Sequence, residues 1–223
     1  NTNDSDLYLL NLETNKKTKI NEGLSNNSPQ DFSPDGTSFY YTTDDNSEFS
    51  YLMKYAIESG SKEKVLEKEW DINRFYFTHN GKYQVLFSNE DAKTKMYVTE
   101  VATGKQLNFP EIDGQAINAA SFSKDETMAL LTVGSSQLPT NTYSYTIATG
   151  KYHKLTDVLN KEINPDDLVE ATVIRYKSFD GLEIPAIYYR PKQASINNKV
   201  PALVWVHGGP GGQSRQNFSS LIQ

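Results

Sequence analysis

The chain has 223 residues, with 22 Lys and Arg against 28 Asp and Glu for a net charge of −6, 37% hydrophobic and 12% aromatic residues, and no cysteine. That is enough apolar material for one or two packed domains and too much for intrinsic disorder, while an acidic balance without a basic stripe points away from nucleic acid and anionic membranes as partners. Without cysteine there is no disulfide framework, thiol nucleophile or Cys-based zinc site. HExxH and EF-hand spacings are also absent, so neither a metal nor a cofactor is expected.

The first residues, Asn1-Thr2-Asn3-Asp4-Ser5-Asp6, are polar and carry no signal-peptide core. The longest apolar run, residues 202–206, is far too short to span a membrane. These features lead to the expectation of a cytoplasmic protein. The three sequons, at Asn3, Asn26 and Asn217, read as chance matches in an Asn-rich chain.

Residues 7–12 and 17–20 are expected to be strands. They join at a landmark, Asn11-Leu12-Glu13-Thr14-Asn15, that returns as Ala56-Ile57-Glu58-Ser59-Gly60, Val101-Ala102-Thr103-Gly104 and Ile147-Ala148-Thr149-Gly150. The Thr and Ser positions step by 45, 44 and 46 residues. A second landmark runs out of phase with the first: Phe32-Ser33-Pro34-Asp35-Gly36, Phe77-Thr78-His79-Asn80-Gly81 and Phe122-Ser123-Lys124-Asp125-Glu126, with Phe every 45 residues. Asp35-Gly36 and Asn80-Gly81 have the chemistry of tight hairpin turns. Their flanks, such as 38–42, 82–87, 96–101 and 143–147, are rich in strand formers. No amphipathic helix is expected between 6 and 156.

Four short strands per 45 residues predict β-propeller blades. A sandwich of short strands would not account for so strict a step. The expected fold class is therefore mainly β: a partial propeller over 1–156, with blade repeats near 22–66, 67–111 and 112–156. The first strand pair counts as half a blade, giving about three and a half blades. Closed propellers hold roughly four to eight, so strands preceding Asn1 are expected in a longer parent.

After Leu155 the style changes. Residues 157–169 read as a polar linker. Residues 170–178 and 182–190 read as a hairpin joined at Asp180-Gly181. Residues 200–206 read as a fully buried strand of the parallel-sheet kind. That run leads directly into His207-Gly208-Gly209-Pro210-Gly211-Gly212. A Gly-rich turn after such a strand suits an oxyanion loop, where backbone N–H groups stabilise a tetrahedral intermediate. It lacks the register of a phosphate loop. Residues 170–223 are thus expected to be the first strands and oxyanion loop of an incomplete α/β-hydrolase domain.

Propeller blades carrying F-S-P-D-G, then Asp180-Gly181-Leu182-Glu183-Ile184-Pro185, then a strand and HGGPGG, resemble the prolyl oligopeptidase family of serine peptidases, with the acylaminoacyl-peptidase branch as the best match. Proline iminopeptidases share a similar glycine loop but lack a propeller in front of it. The resemblance implies hydrolysis of short peptides, with the propeller covering the active site and filtering substrate by size. It implies that Gly209 offers an N–H to the oxyanion, that Gly208 and Pro210 shape the loop, and that His207 braces it. The nucleophile Ser, the Asp and the general-base His are expected beyond Gln223, because no G-x-S-x-G occurs and His79, His153 and His207 are the only histidines. Short of them, the chain alone is expected to be inactive.

Other features have plainer readings. Asp44-Asp45 and Asp166-Asp167 are expected to be solvated turn charges rather than acid pairs or metal ligands. His79 and His153 are expected to face solvent. Trp70 and the Tyr-rich strands are expected to pack blades rather than hold sugar. The second functional expectation is a non-enzymatic binding module that self-associates through open blade edges or the incomplete hydrolase sheet.

Overall fold

A computed structural model describes residues 4–112, 115–209 and 211–223. Strand β1 (Tyr8–Leu10) pairs antiparallel with β2 (Lys17–Lys19). The next sheet runs in chain order through β3 (Asn27–Phe32), β4 (Ser38–Thr43), β5 (Tyr51–Ala56) and β6 (Lys62–Leu66). A second holds β7 (Asp71–Phe77), β8 (Tyr83–Glu90), β9 (Lys93–Glu100) and β10 (Gln106–Leu107). A third holds β11 (Ala116–Phe122), β12 (Met128–Gly134), β13 (Asn141–Thr146) and β14 (Tyr152–Lys154). These are four-stranded meanders, as the 45-residue repeat predicts.

The turns explain the repeat. At the first landmark the positive backbone angle falls on Asn15, Gly60, Gly104 and Gly150, with φ of 55°, 71°, 68° and 68°. At the second it falls on Gly36 and Gly81, at 69° and 72°, and then on Glu126, at 56°. Side chains brace these turns. Asp35 accepts from Ser33 Oγ at 2.5 Å, Thr37 N at 3.0 Å and Thr37 Oγ1 at 2.9 Å. Asp125 repeats the pattern with Ser123 and Thr127. The Ser33 hydroxyl, followed by the Thr37 donors, holds the Asp35 carboxyl down at about 2. The first and third copies of this landmark thus share Ser-x-Asp-x-Thr, an Asx-type turn, where the second has Thr78-His79-Asn80-Gly81-Lys82.

The chain divides into two compact units. One runs to Glu90 and adds Thr94–Pro110 and Phe122–Met128; the other comprises Asp91–Lys93, Glu111–Ser121 and Ala129–Gln223. In the first unit, Leu7, Ile20, Phe39, Tyr41 and Tyr55 form one buried cluster, and Leu52, Ile72, Phe75 and Leu86 another. Strand β7 packs there beside β3, and side chains stitch the two together. Gln30 Oε1 accepts from Phe75 N, and Asp31 Oδ2 from Phe77 N, each at 2.8 Å. These acceptors satisfy N–H groups that the sheet ladder leaves open.

In the second unit the core holds Leu131, Val133, Tyr143 and Tyr145. The polar stretch 157–169 contains a turn of 3-10 helix, Pro165–Asp167, capped by Asn164. Then β15 (Ala171–Lys177) pairs with β16 (Glu183–Tyr189) in unbroken antiparallel register, turning at Gly181 with φ 87°.

The buried parallel strand expected over 200–206 is not formed. The segment is irregular and open, with Leu203, Val204, Trp205 and Val206 between 66% and 88% exposed. An apolar strand of that kind needs a neighbour on each edge and cover on each face. The hairpin β15–β16 is a sheet of two strands and supplies neither. Likewise, the described residues beyond β16 hold neither a helix nor a strand, so no α/β-hydrolase architecture is visible among them.

Hydrogen exchange measures this directly. Amides of 200–206 are expected to exchange almost at the unprotected rate. Those of β8, whose Val85 to Ser88 are buried, should be slowed by about three orders of magnitude or more, as core strands are. Protection of 200–206 in a monodisperse monomer would contradict the open conformation.

Candidate functional site

The glycine loop follows the open segment. His207, Gly208 and Gly209 are all exposed. His207 Nδ1 lies 3.4 Å from Gly208 O, and Gly209 has φ 73°, a conformation that favours glycine. Pro210, the fourth residue expected in this loop, lies outside the described residues. Gly212 was not singled out by sequence reasoning but closes the turn. A Cβ there would sit 2.6 Å from Gly208 O and 3.1 Å from His207 Nδ1. Its signal was the second glycine pair of HGGPGG.

Segments on either side of the loop are tied down within the second unit. Arg175 meets Asp91 at 2.6 Å, and Gln216 donates to Asp91 O at 2.9 Å and, through its backbone, to Ala92 O at 3.0 Å. Gln223 Nε2 donates to Ser136 O and Val169 O, each at 2.8 Å. Gln137 donates to Leu168 O at 3.0 Å. The loop is thus an exposed feature between hydrogen-bonded segments.

The other candidates take their plain readings, with detail the sequence did not show. His79 is exposed in a turn and His153 on the outer strand β14. His79 edges a shallow depression of about 360 Å³ lined also by Asp31, Phe32, Pro34, Phe77, Thr78 and Asn80. The Asp31 carboxylate there is already engaged, accepting from Phe32 N and Phe77 N. Asp44 is more than a solvated charge, because it accepts from Asn26 N at 2.7 Å and anchors the loop before β3. Asp166 and Asp167 sit in the first turn of the 3-10 helix, where acidic residues are favoured. Trp70 lies against Phe49, with ring centroids 6.2 Å apart. Tyr40 packs on Phe75 and Phe77. Among the described residues no helix is long and apolar enough to cross a membrane.

The four-stranded meanders and their two-phase turns define a β-propeller fold. No family model and no curated protein matches the chain. Solved structures do. A prolyl endopeptidase structure aligns with a TM-score of 0.78 at 18% identity, covering 99% of this chain and 32% of its own. The puromycin-hydrolysing peptidase of Mycobacterium tuberculosis aligns with a TM-score of 0.70 at 17% identity, covering 91% and 32%. Prolyl oligopeptidase B of Galerina marginata aligns with a TM-score of 0.69 at 22% identity, covering 86% and 29%. The fold is therefore the one found in the propeller part of prolyl oligopeptidases, the group that the sequence resembles. The chain spans about a third of the length of these structures.

Proposed function

We propose that this chain is the propeller part, first hairpin and oxyanion loop of a serine peptidase of the prolyl oligopeptidase family, within the acylaminoacyl-peptidase branch. The observation that carries the reading is the order of parts. Blades with 45-residue spacing lead into the Asp180-Gly181 hairpin and then His207-Gly208-Gly209, on a fold shared with prolyl endopeptidases across 99% of this chain. In the full-length enzyme, short peptides would be cleaved through an acyl-enzyme. Gly209 N–H would face the oxyanion, Gly208 and Pro210 would shape its loop, and His207 would brace it. Beyond Gln223 the chain would continue into an α/β-hydrolase domain bearing the nucleophile Ser, the Asp and the general-base His.

The test uses an antibody against this segment and a fluorophosphonate probe applied to the native source. A labelled band well above 25.1 kDa is the expected result. An unlabelled band at 25.1 kDa alone overturns the reading.

The exposed run 203–206 favours a second reading, in which the chain is a binding module that self-associates through this surface. Size-exclusion chromatography across a concentration series decides that one. A monomer at every concentration rules it out.

A further inference from the structure

Asn80-Gly81 is the sole Asn-Gly pair in the sequence. This pair is chemically special because glycine has no Cβ to shield its nitrogen from the neighbouring carboxamide. The Gly81 nitrogen can attack Cγ of Asn80, forming a C–N bond as the bond to Nδ2 breaks and ammonia leaves. The product is a five-membered succinimide. Water then adds to either ring carbonyl and opens it to an aspartyl or isoaspartyl residue. No oxidant, reductant or enzyme is required, and Asn80 is exposed to the water that completes the step.

The folded turn opposes that attack. Asn80 Nδ2 donates to Lys124 O at 2.7 Å, and Asn80 N donates to Glu126 Oε1 at 2.8 Å. Lys82 N reaches the same carboxylate oxygen at 3.4 Å. The attacking group is engaged too, since Gly81 N donates to Thr78 O at 2.8 Å. On its other side Gly81 is pressed against Pro34, where a Cβ would lie 2.5 Å from the ring. Both reacting groups are thus held on other partners, and reaction requires releasing both.

The clamp carries a cost that points to its importance. Glu126 occupies the glycine position of its own landmark at φ 56°, yet is 3% exposed. A non-glycine residue in this conformation is strained. Its carboxylate reaches back to the Asn80 turn, and these hydrogen bonds offset the strain.

We propose that Asn80-Gly81 is a latent covalent modification site, held unreacted by the Lys124–Glu126 clamp and converted to an aspartyl or isoaspartyl residue when the clamp opens. The product cannot reclose the clamp. It has lost the Nδ2 donor to Lys124 O and places a second carboxylate beside Glu126. The conversion is a one-way release of this turn, which clocks how long the unit has spent open.

The experiment follows the Asn80 peptide by mass spectrometry while the chain stands at neutral pH, folded or in urea. Folded wild type should convert slowly. Folded Glu126→Ala should convert about tenfold faster, as loss of charge-assisted hydrogen bonds allows. In urea the two should match. Equal folded rates for wild type and Glu126→Ala overturn the proposal, and so does a folded wild type that converts as fast as the unfolded chain. Glu126→Gln, which keeps an acceptor, serves if Glu126→Ala does not fold, and is expected to fall between. Independently, Asn80→Asp should lower Tm by about 2–4 °C for a chain of this size. An unchanged Tm overturns the claim that modification releases the turn.

Discussion

Phe75→Ala is expected to lower the unfolding free energy by about 3–5 kcal/mol, measured by urea denaturation. Phe75 is 2% exposed and sits where β7 meets the first four-stranded sheet. Its ring centroid lies 4.9 Å from Tyr40 and 5.1 Å from Phe77, in the tilted and edge-on geometries that aromatic pairs favour. Truncation opens a cavity that Leu52, Ile72 and Leu86, themselves 1–5% exposed, cannot collapse to fill. The backbone around Phe75 is also fixed, because its N–H donates to Gln30 Oε1. Phe32, 49% exposed on the neighbouring sheet, serves as the control, and Phe32→Ala should cost about 1 kcal/mol or less. Equal losses for the two variants would mean that the first two sheets do not share a core.

Glu90→Ala is expected to cost about 2–4 kcal/mol, because it strands charged and polar partners around a nearly buried carboxylate. The Glu90 side chain is 12% exposed. It accepts from Tyr97 OH at 2.5 Å and Ser88 Oγ at 2.6 Å, and pairs with Lys68 at 3.1 Å and Lys95 at 3.0 Å. Lys68, with its side chain 22% exposed, also lies 3.6 Å above the Tyr97 ring. Lys95 is 58% exposed, so its ion pair contributes little. Burial pushes the Glu90 carboxyl upward, but the bonds from Ser88, Tyr97, Lys95 and Lys68 outweigh it and hold it at about 2.

The sign of the pH effect follows. A carboxyl lowered from its ordinary value of 4.5 contributes stability that is fully present above that value. The contribution is lost as pH falls from 4.5 through about 2. Wild type should therefore lose stability steeply across this window. Glu90→Gln, already uncharged, should start lower and fall less. Parallel curves for the two proteins would remove Glu90 as the source of acid sensitivity.

Local rules made most of the fold legible in the sequence. Alternating strand formers placed β4, β8 and β13, while Asn15, Gly36, Gly60 and Gly81 marked turns that need positive φ. The Asp180-Gly181 signal placed the β15–β16 hairpin. These features depend on residues within a few positions of one another, so sequence spacing alone reveals them. The glycine loop was legible as a loop for the same reason, though the role of Gly212 in closing it was not.

The sequence by itself determined the repeat, the number of strands per repeat and the chemistry of the turns, because each is a property of short segments. Tertiary structure alone decided the rest. Glu126 reads as a lapse in the landmark until its carboxylate is seen on the Asn80 turn, 46 positions away. Glu90 reads as one charge among many until Lys68 and Tyr97 close around it. Residues 200–206 have the composition of a buried strand, yet a strand exists only where another chain segment supplies its hydrogen bonds and covers its faces. Composition states what a segment could bury, while the neighbours that fold against it decide whether it is buried.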